Sequence, residues 1–76
     1  MVYVEYYIKN AKLGRLQEMC GDRSVYILDG RNSQSTMIED SKTWAKKNNK
    51  TATHGKLFKG SSFTQAVGIS EYFKLK

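Results

Sequence analysis

Six lysines, Lys42, Lys46, Lys47, Lys50, Lys56 and Lys59, stand in a stretch that holds no acid between Ser41 and Ser70. Ammonium groups neutralise phosphate charge, and the short polar side chains among them, Asn48, Asn49, Thr51 and Thr53, supply hydrogen bonds that fix register on a sugar–phosphate backbone. This is the chemistry of an anion-binding surface. Arginine, whose fork makes bidentate contacts with guanine, is absent from residues 41–76, and no recognition-helix, zinc-finger or RNP signature is present. The expected contact is therefore with backbone and only weakly with sequence. Tyr3, Tyr7 and Tyr26 are the candidate aromatics, either to stack on unpaired bases or to anchor a protein interface. A solvated lysine surface that confers solubility is the competing reading.

The charge is unevenly placed. Residues 1–40 carry five basic and six acidic side chains, whereas residues 41–76 carry eight lysines against Glu71 alone, so the whole excess of the formal +6 lies in the second half. Such a field attracts an anionic partner.

Other chemistries find little support. Cys20 and His54 are the single cysteine and histidine, and their spacing to any aspartate does not describe a nucleophile, base and orienter. A small free thiol packed in or near the core and a strand-end histidine are the simpler readings, and neither residue has the company a metal site needs. Glu39 and Asp40 are explained by helix capping and dipole, Asp22 and Asp29 by turns, so no carboxylate pair for acid–base work is expected. No enzyme, cofactor or metal is read here. Gly55-Lys56-Leu57-Phe58-Lys59-Gly60-Ser61-Ser62 has the glycine spacing of a phosphate-binding loop, but Ser61 stands where that motif requires lysine. Only a weak phosphate contact through Gly60, Ser61 and Ser62 survives.

The elements that must position these side chains begin with Ser35 to Lys50, an amphipathic helix. At about 100° per residue Met37, Ile38, Ser41, Trp44, Ala45 and Asn48 share one arc, and the lysines fall outside it. Thr36 as N-cap with Glu39 three residues on reads as a capping box, Glu39 and Asp40 suit the first turn, and Lys46 and Lys47 suit the last. Val2 to Ile8 alternates as a strand, Asn10 to Gly14 as a turn, and Ser24 to Leu28 as a second strand closed by Asp29-Gly30. Arg15 to Cys20 fits a short strand or a helical turn. Asn48-Asn49 stops the helix, Thr51 to Lys59 reads as a strand broken near Gly55, Phe63 to Val67 as a helical turn, and Ile69 to Leu75 as a last strand.

The expected fold is thus α+β, one domain over residues 1–76 in the order β-β-α-β-β, its helix packed on one face of a three- or four-stranded, mainly antiparallel sheet. The second sheet face, with Tyr3 and Tyr7, would be open, since a chain this short buries only about 60% of its surface. No apolar run approaches the roughly 18 residues of a membrane span, MVYVEYYIKN lacks a signal-peptide pattern, and a lone cysteine fits a reducing, cytoplasmic setting.

Two functional readings follow. In the first, a basic, non-catalytic module binds nucleic acid through the lysine-rich helix face and the following strand. In the second, the chain is a protein-binding regulator or inhibitor that docks on an acidic partner such as a nucleic-acid-handling enzyme. Aromatics beside the lysines favour the first, and aromatics on a separate apolar patch favour the second. A third arrangement holds a small anionic nucleotide at a homodimer interface. In size, lysine and asparagine content and lack of proline, the chain resembles small accessory proteins of phages and mobile elements.

Overall fold

The structure is a computed structural model that describes residues 1–10, 12–18, 25–61 and 65–75. Its hub is β1 (Val2–Asn10). β2 (Arg15–Glu18) and β3 (Val25–Leu28) pair with successive halves of one edge of β1, and β4 (His54–Lys59) pairs with the other edge. The short strands β5 (Val67–Gly68) and β6 (Phe73–Lys74) then pair with the two ends of β4. All five pairings are antiparallel. One helix, α1 (Gln34–Asn48), packs on this curled sheet.

Alternation along β1 creates two faces. Val2, Val4 and Tyr6 meet the helix and join Leu28, Met37, Ala45, Ala52, Leu57 and Leu75 in the core. Val4, Tyr6 and Leu57 are fully buried, and each such side chain stabilises the fold by about 1.5–3 kcal/mol relative to exposure. The first turn of chain is built by Asn10, whose Oδ1 accepts from the N–H groups of Lys12 and Leu13. Gly14 completes it at φ 66, in the left-handed region that a side chain disfavours.

The α+β class holds, with six strands among the described residues rather than three or four. Arg15–Glu18 is strand, not helix; Met19 and Cys20, with the thiol expected in the core, lie outside the described residues, as do Gly21, Asp22 and Ser24. The strand expected over Ile69 to Leu75 is reduced to β6, Phe73–Lys74, because Ser70 Oγ accepts the Leu57 N–H at 2.9 Å and the Ile69 N–H donates to the Leu57 carbonyl. Val67 opens β5 instead of ending a helical turn, whose Phe63 and Thr64 are outside the described residues. Nor is the fourth strand broken at Gly55, where β4 runs straight through. A Cβ there would meet the Phe73 ring at 2.9 Å, so glycine serves to admit that ring.

The helix starts earlier than its pattern implied. Ser33 is the N-cap, its Oγ accepting from the Thr36 N–H at 3.3 Å, and Thr36 is already helical. Glu39 and Asp40 consequently fall beyond the first turn, which holds no acid. Asn48 is exposed and donates to the Trp44 carbonyl instead of packing, because the helix end passes the edge of the core. Asn49 caps the C-terminus, its N–H donating to the Ala45 carbonyl. Ser33→Ala should therefore lower unfolding free energy by about 1 kcal/mol in urea titration, and Thr36→Ala by less than about 0.5 kcal/mol. The reverse ranking would return the cap to Thr36.

Candidate nucleic-acid interface

The sheet fixes the helix, and the helix fixes the lysines. Tyr6 donates its hydroxyl to the Ser41 carbonyl at 2.7 Å, and its ring stacks on Trp44 with centroids 5.4 Å apart. With Ser41 and Ala45 facing the sheet, Lys46 and Lys47 are turned outward in the last helical turn, and both are exposed, as is Lys50 just beyond. Lys42 lies one turn before Lys46 on the same ridge. It is only partly exposed and its Nζ is 3.6 Å from Glu39 Oε1, a surface pair worth at most about 1 kcal/mol.

The other two expected members are elsewhere. Lys56 is in register with Glu5, on the sheet face opposite the helix. Its Nζ lies 4.9 Å from the Tyr72 ring centroid and 5.5 Å from that of Phe58, so its charge is engaged inside the fold. Lys59 is paired with Val2 at the far end of β4. Five strand residues, roughly 16 Å, separate it from His54, where the chain arrives from the helix. The six-lysine surface is therefore a patch of four on and after α1, with Lys56 and Lys59 apart from it. The phosphate loop is absent too: Gly55 to Lys59 is extended strand, the Gly60 N–H donates to the Met1 carbonyl at 3.0 Å, and Ser61 Oγ donates to Gln65. Ser62 lies outside the described residues.

Two cations that sequence reading left out belong to the same end of the molecule. Lys9 is held there by its N–H bond to Thr53 Oγ1, and Lys74 by pairing with His54. Both are exposed. By strand alternation they project from the opposite sheet face, and only the long-range register reveals them.

The aromatics divide differently from expectation. Tyr3 and Tyr7 are 6% and 8% exposed and offer no stacking platform. The second sheet face is not open, because Tyr72 folds over it edge-on to Tyr7 at 5.1 Å and the Lys56 side chain crosses it. Tyr26 is half-buried and stacks on Trp44 at 4.9 Å. These two rings wall a shallow cavity of about 240 Å³ whose remaining lining is Asp40, Thr43, Lys47 and Asn48. Sequence reading placed Trp44 in the core and so missed its second role. A larger recess of about 500 Å³ is lined by Gln34, Lys56 and the chain from Gly68 to Glu71, and its lysine is the one already engaged.

Contrary to the expectation that the acids stay apart, Glu18 is a neighbour of Glu5 on the second sheet face, where it stands in register with Tyr7. The Tyr7 hydroxyl donates to Glu5 Oε2 at 2.7 Å. Burial, and after it the bond to Glu18, raises the Glu5 carboxyl above its ordinary value, with Tyr7 and Lys56 opposing. Burial, and then the bond to Glu5, likewise pushes the Tyr7 hydroxyl up. Glu5 is 8% exposed, so its carboxyl is an internal group, while Glu18 beside it is exposed. His54 Nδ1 lies 2.9 Å from Thr53 Oγ1. Among the described residues no group of three or more His, Cys, Asp or Glu side chains could hold a metal ion, and no helix is long and apolar enough to cross a membrane.

Because folding raises the Glu5 carboxyl above its unfolded value of about 4.3, its contribution to stability is full below that pH and is lost as pH rises through the folded value. Glu5→Gln retains an acceptor for Tyr7 and removes the ionisation. Its melting temperature relative to the native chain should rise steadily as pH is raised from about 4 to about 7. A difference that does not change with pH would remove Glu5 from this role. Compared with protein-family models, curated proteins and solved structures, the chain matches none.

Proposed function

We propose that this chain is a small, non-catalytic nucleic-acid-binding protein that meets the phosphate backbone through Lys42, Lys46, Lys47 and Lys50, with low sequence specificity. The observation that carries the reading is the cavity in which Lys47 adjoins Tyr26 and Trp44. Cationic charge beside accessible aromatic rings is the combination that single-stranded nucleic acid recognises. Lys9 and Lys74 extend the positive field around the same end of the fold and steer an anion toward it. A reducing, cytoplasmic setting belongs to the same proposal and rests on the single cysteine.

A second reading, docking on a protein, has its own support. Met1, Ile27 and Val67 are 60%, 56% and 66% exposed, and pairing puts them at the Val2 end of the sheet, away from Lys46 and Lys47. Exposed apolar side chains at an end of the sheet remote from the charge are what a protein partner can use.

Fluorescence-anisotropy titration with short oligonucleotides at two salt concentrations separates the readings. On the first, log affinity falls with log salt at about −0.7 per phosphate contacted, giving a slope near −2 to −3 for three to four lysines, and Lys46→Glu/Lys47→Glu weakens binding by about tenfold or more. An affinity indifferent to salt, or absence of binding at low salt, would transfer the assignment to the protein-docking reading.

A further inference from the structure

The recess beside Lys47 carries groups that phosphate binding leaves unused. Its aromatic wall is rigid, because Trp44 lies nearly parallel to both Tyr26 and Tyr6, at 21° and 8°. A planar ring laid against that wall gains stacking without first ordering the side chains. At about 240 Å³ the cavity falls below the roughly 300–1,000 Å³ of sites that enclose a drug-sized ligand. One base fills it, with sugar and phosphate left outside.

The polar wall is specific in a second sense. Thr43 donates its hydroxyl proton to the Glu39 carbonyl at 3.1 Å, so lone pairs are what its oxygen retains. Asn48 commits one N–H of its amide to the Trp44 carbonyl at 3.0 Å, which leaves its side-chain oxygen as an acceptor beside one remaining N–H. Asp40, exposed at the rim, is an acceptor through both carboxylate oxygens. The wall is thus rich in acceptors. Cytosine, adenine and guanine each offer such a wall an exocyclic amino group with two N–H donors, whereas thymine and uracil offer the single N3–H flanked by two carbonyls whose lone pairs the wall repels.

We infer that the cavity between Tyr26, Trp44 and Asp40 is a single-base site for an unpaired nucleotide bearing an exocyclic amino group, with Lys47 on a flanking phosphate. The inference rests on the nucleic-acid reading and goes past it, replacing indifference to sequence with a preference at one position. A paired base has both faces covered by its neighbours in the stack and cannot lie against the aromatic wall, so single strands are the ligand.

Trp44 is the only tryptophan, and its emission therefore reports directly on the recess. The test titrates the full chain at low salt with oligo-dC, oligo-dA, oligo-dT and an abasic oligomer of equal length. Quenching by oligo-dC and oligo-dA is expected, with affinity about tenfold above that for oligo-dT and the abasic strand. Asp40→Asn, an exposed change, removes a negative charge beside Lys47 and should strengthen binding of oligo-dT while collapsing the preference for oligo-dC over oligo-dT. Tyr26→Leu should remove the advantage of every base over the abasic strand, with circular dichroism confirming that the variant folds. Salt-dependent binding with no difference among the four strands would overturn the base site and leave the phosphate reading standing. Failure of every strand to bind at low salt overturns both.

Discussion

The fold hangs on the junction between Tyr6 and the middle of α1. Tyr6 is fully buried on the central strand, and burial pushes its hydroxyl well above the ordinary tyrosine range, so it stays a neutral donor. That donor has one destination, the Ser41 carbonyl at 2.7 Å. Leaving it unpaired would cost about 1–3 kcal/mol, which is a large fraction of the stability of a chain this small. The same ring is overlaid by Trp44. Together these contacts set both the height and the rotation of the helix on the sheet. Once Ser41 points inward, the advance of about 100° per residue turns Lys46 and Lys47 outward. A function on the outer face is therefore downstream of a hydrogen bond in the core.

The second sheet face answers a different constraint. Among the described residues there is a single helix and no second layer to cover Tyr3, Glu5 and Tyr7, yet all three are buried. The cover is assembled from single side chains: Tyr72, which sits in the break between β5 and β6, and Lys56, whose ammonium rests over the Tyr72 and Phe58 rings. A lysine stem can shield apolar surface in this way while its head finds a partner. The arrangement leaves a carboxyl inside the fold, and the Tyr7 hydroxyl and Lys56 offset part of the cost of burying it. The glycine that admits Phe73 on the helix side of the same strand shows how little spare volume the sheet has.

What the sequence made legible follows from range. The helix, β1 and the class of fold were readable because their periodicities are local, and the lysines of the last helical turn inherited that clarity. The boundaries slipped where a polar residue had two uses: Ser33 and Thr36 both cap helices well, and only the backbone decides between them. The second face was misread because its cover comes from Tyr72, whose placement depends on the pairing of β5 and β6 with β4. Strand register across more than forty residues carries no local signal, and it is this register of β1 with β4 that removes Lys56 and Lys59 from the patch and brings Lys9 to the helix end; the shorter-range pairings that place Glu18 beside Tyr7 and Lys74 beside His54 are equally invisible to periodicity. Trp44 was correctly assigned to packing; that a half-buried ring can also wall a cavity is a matter of its edges, which periodicity does not see.

The competing account of the lysines is that they serve the helix itself. Cations in a last turn gain about 0.3–1 kcal/mol from the helix dipole, and Lys46 and Lys47 occupy that turn. The dipole falls off within a turn, however, and does nothing for Lys9 on β1 or Lys74 on β6. Gathering like charges at one end of a small domain works against folding through mutual repulsion. An internal explanation would also predict that the surroundings of Lys47 be indifferent, and they are two stacked aromatic rings and a wall of acceptors around a cavity. Helix stabilisation accounts for two of these cations; the remainder, and the recess, are what the proposed anionic and planar ligand would use.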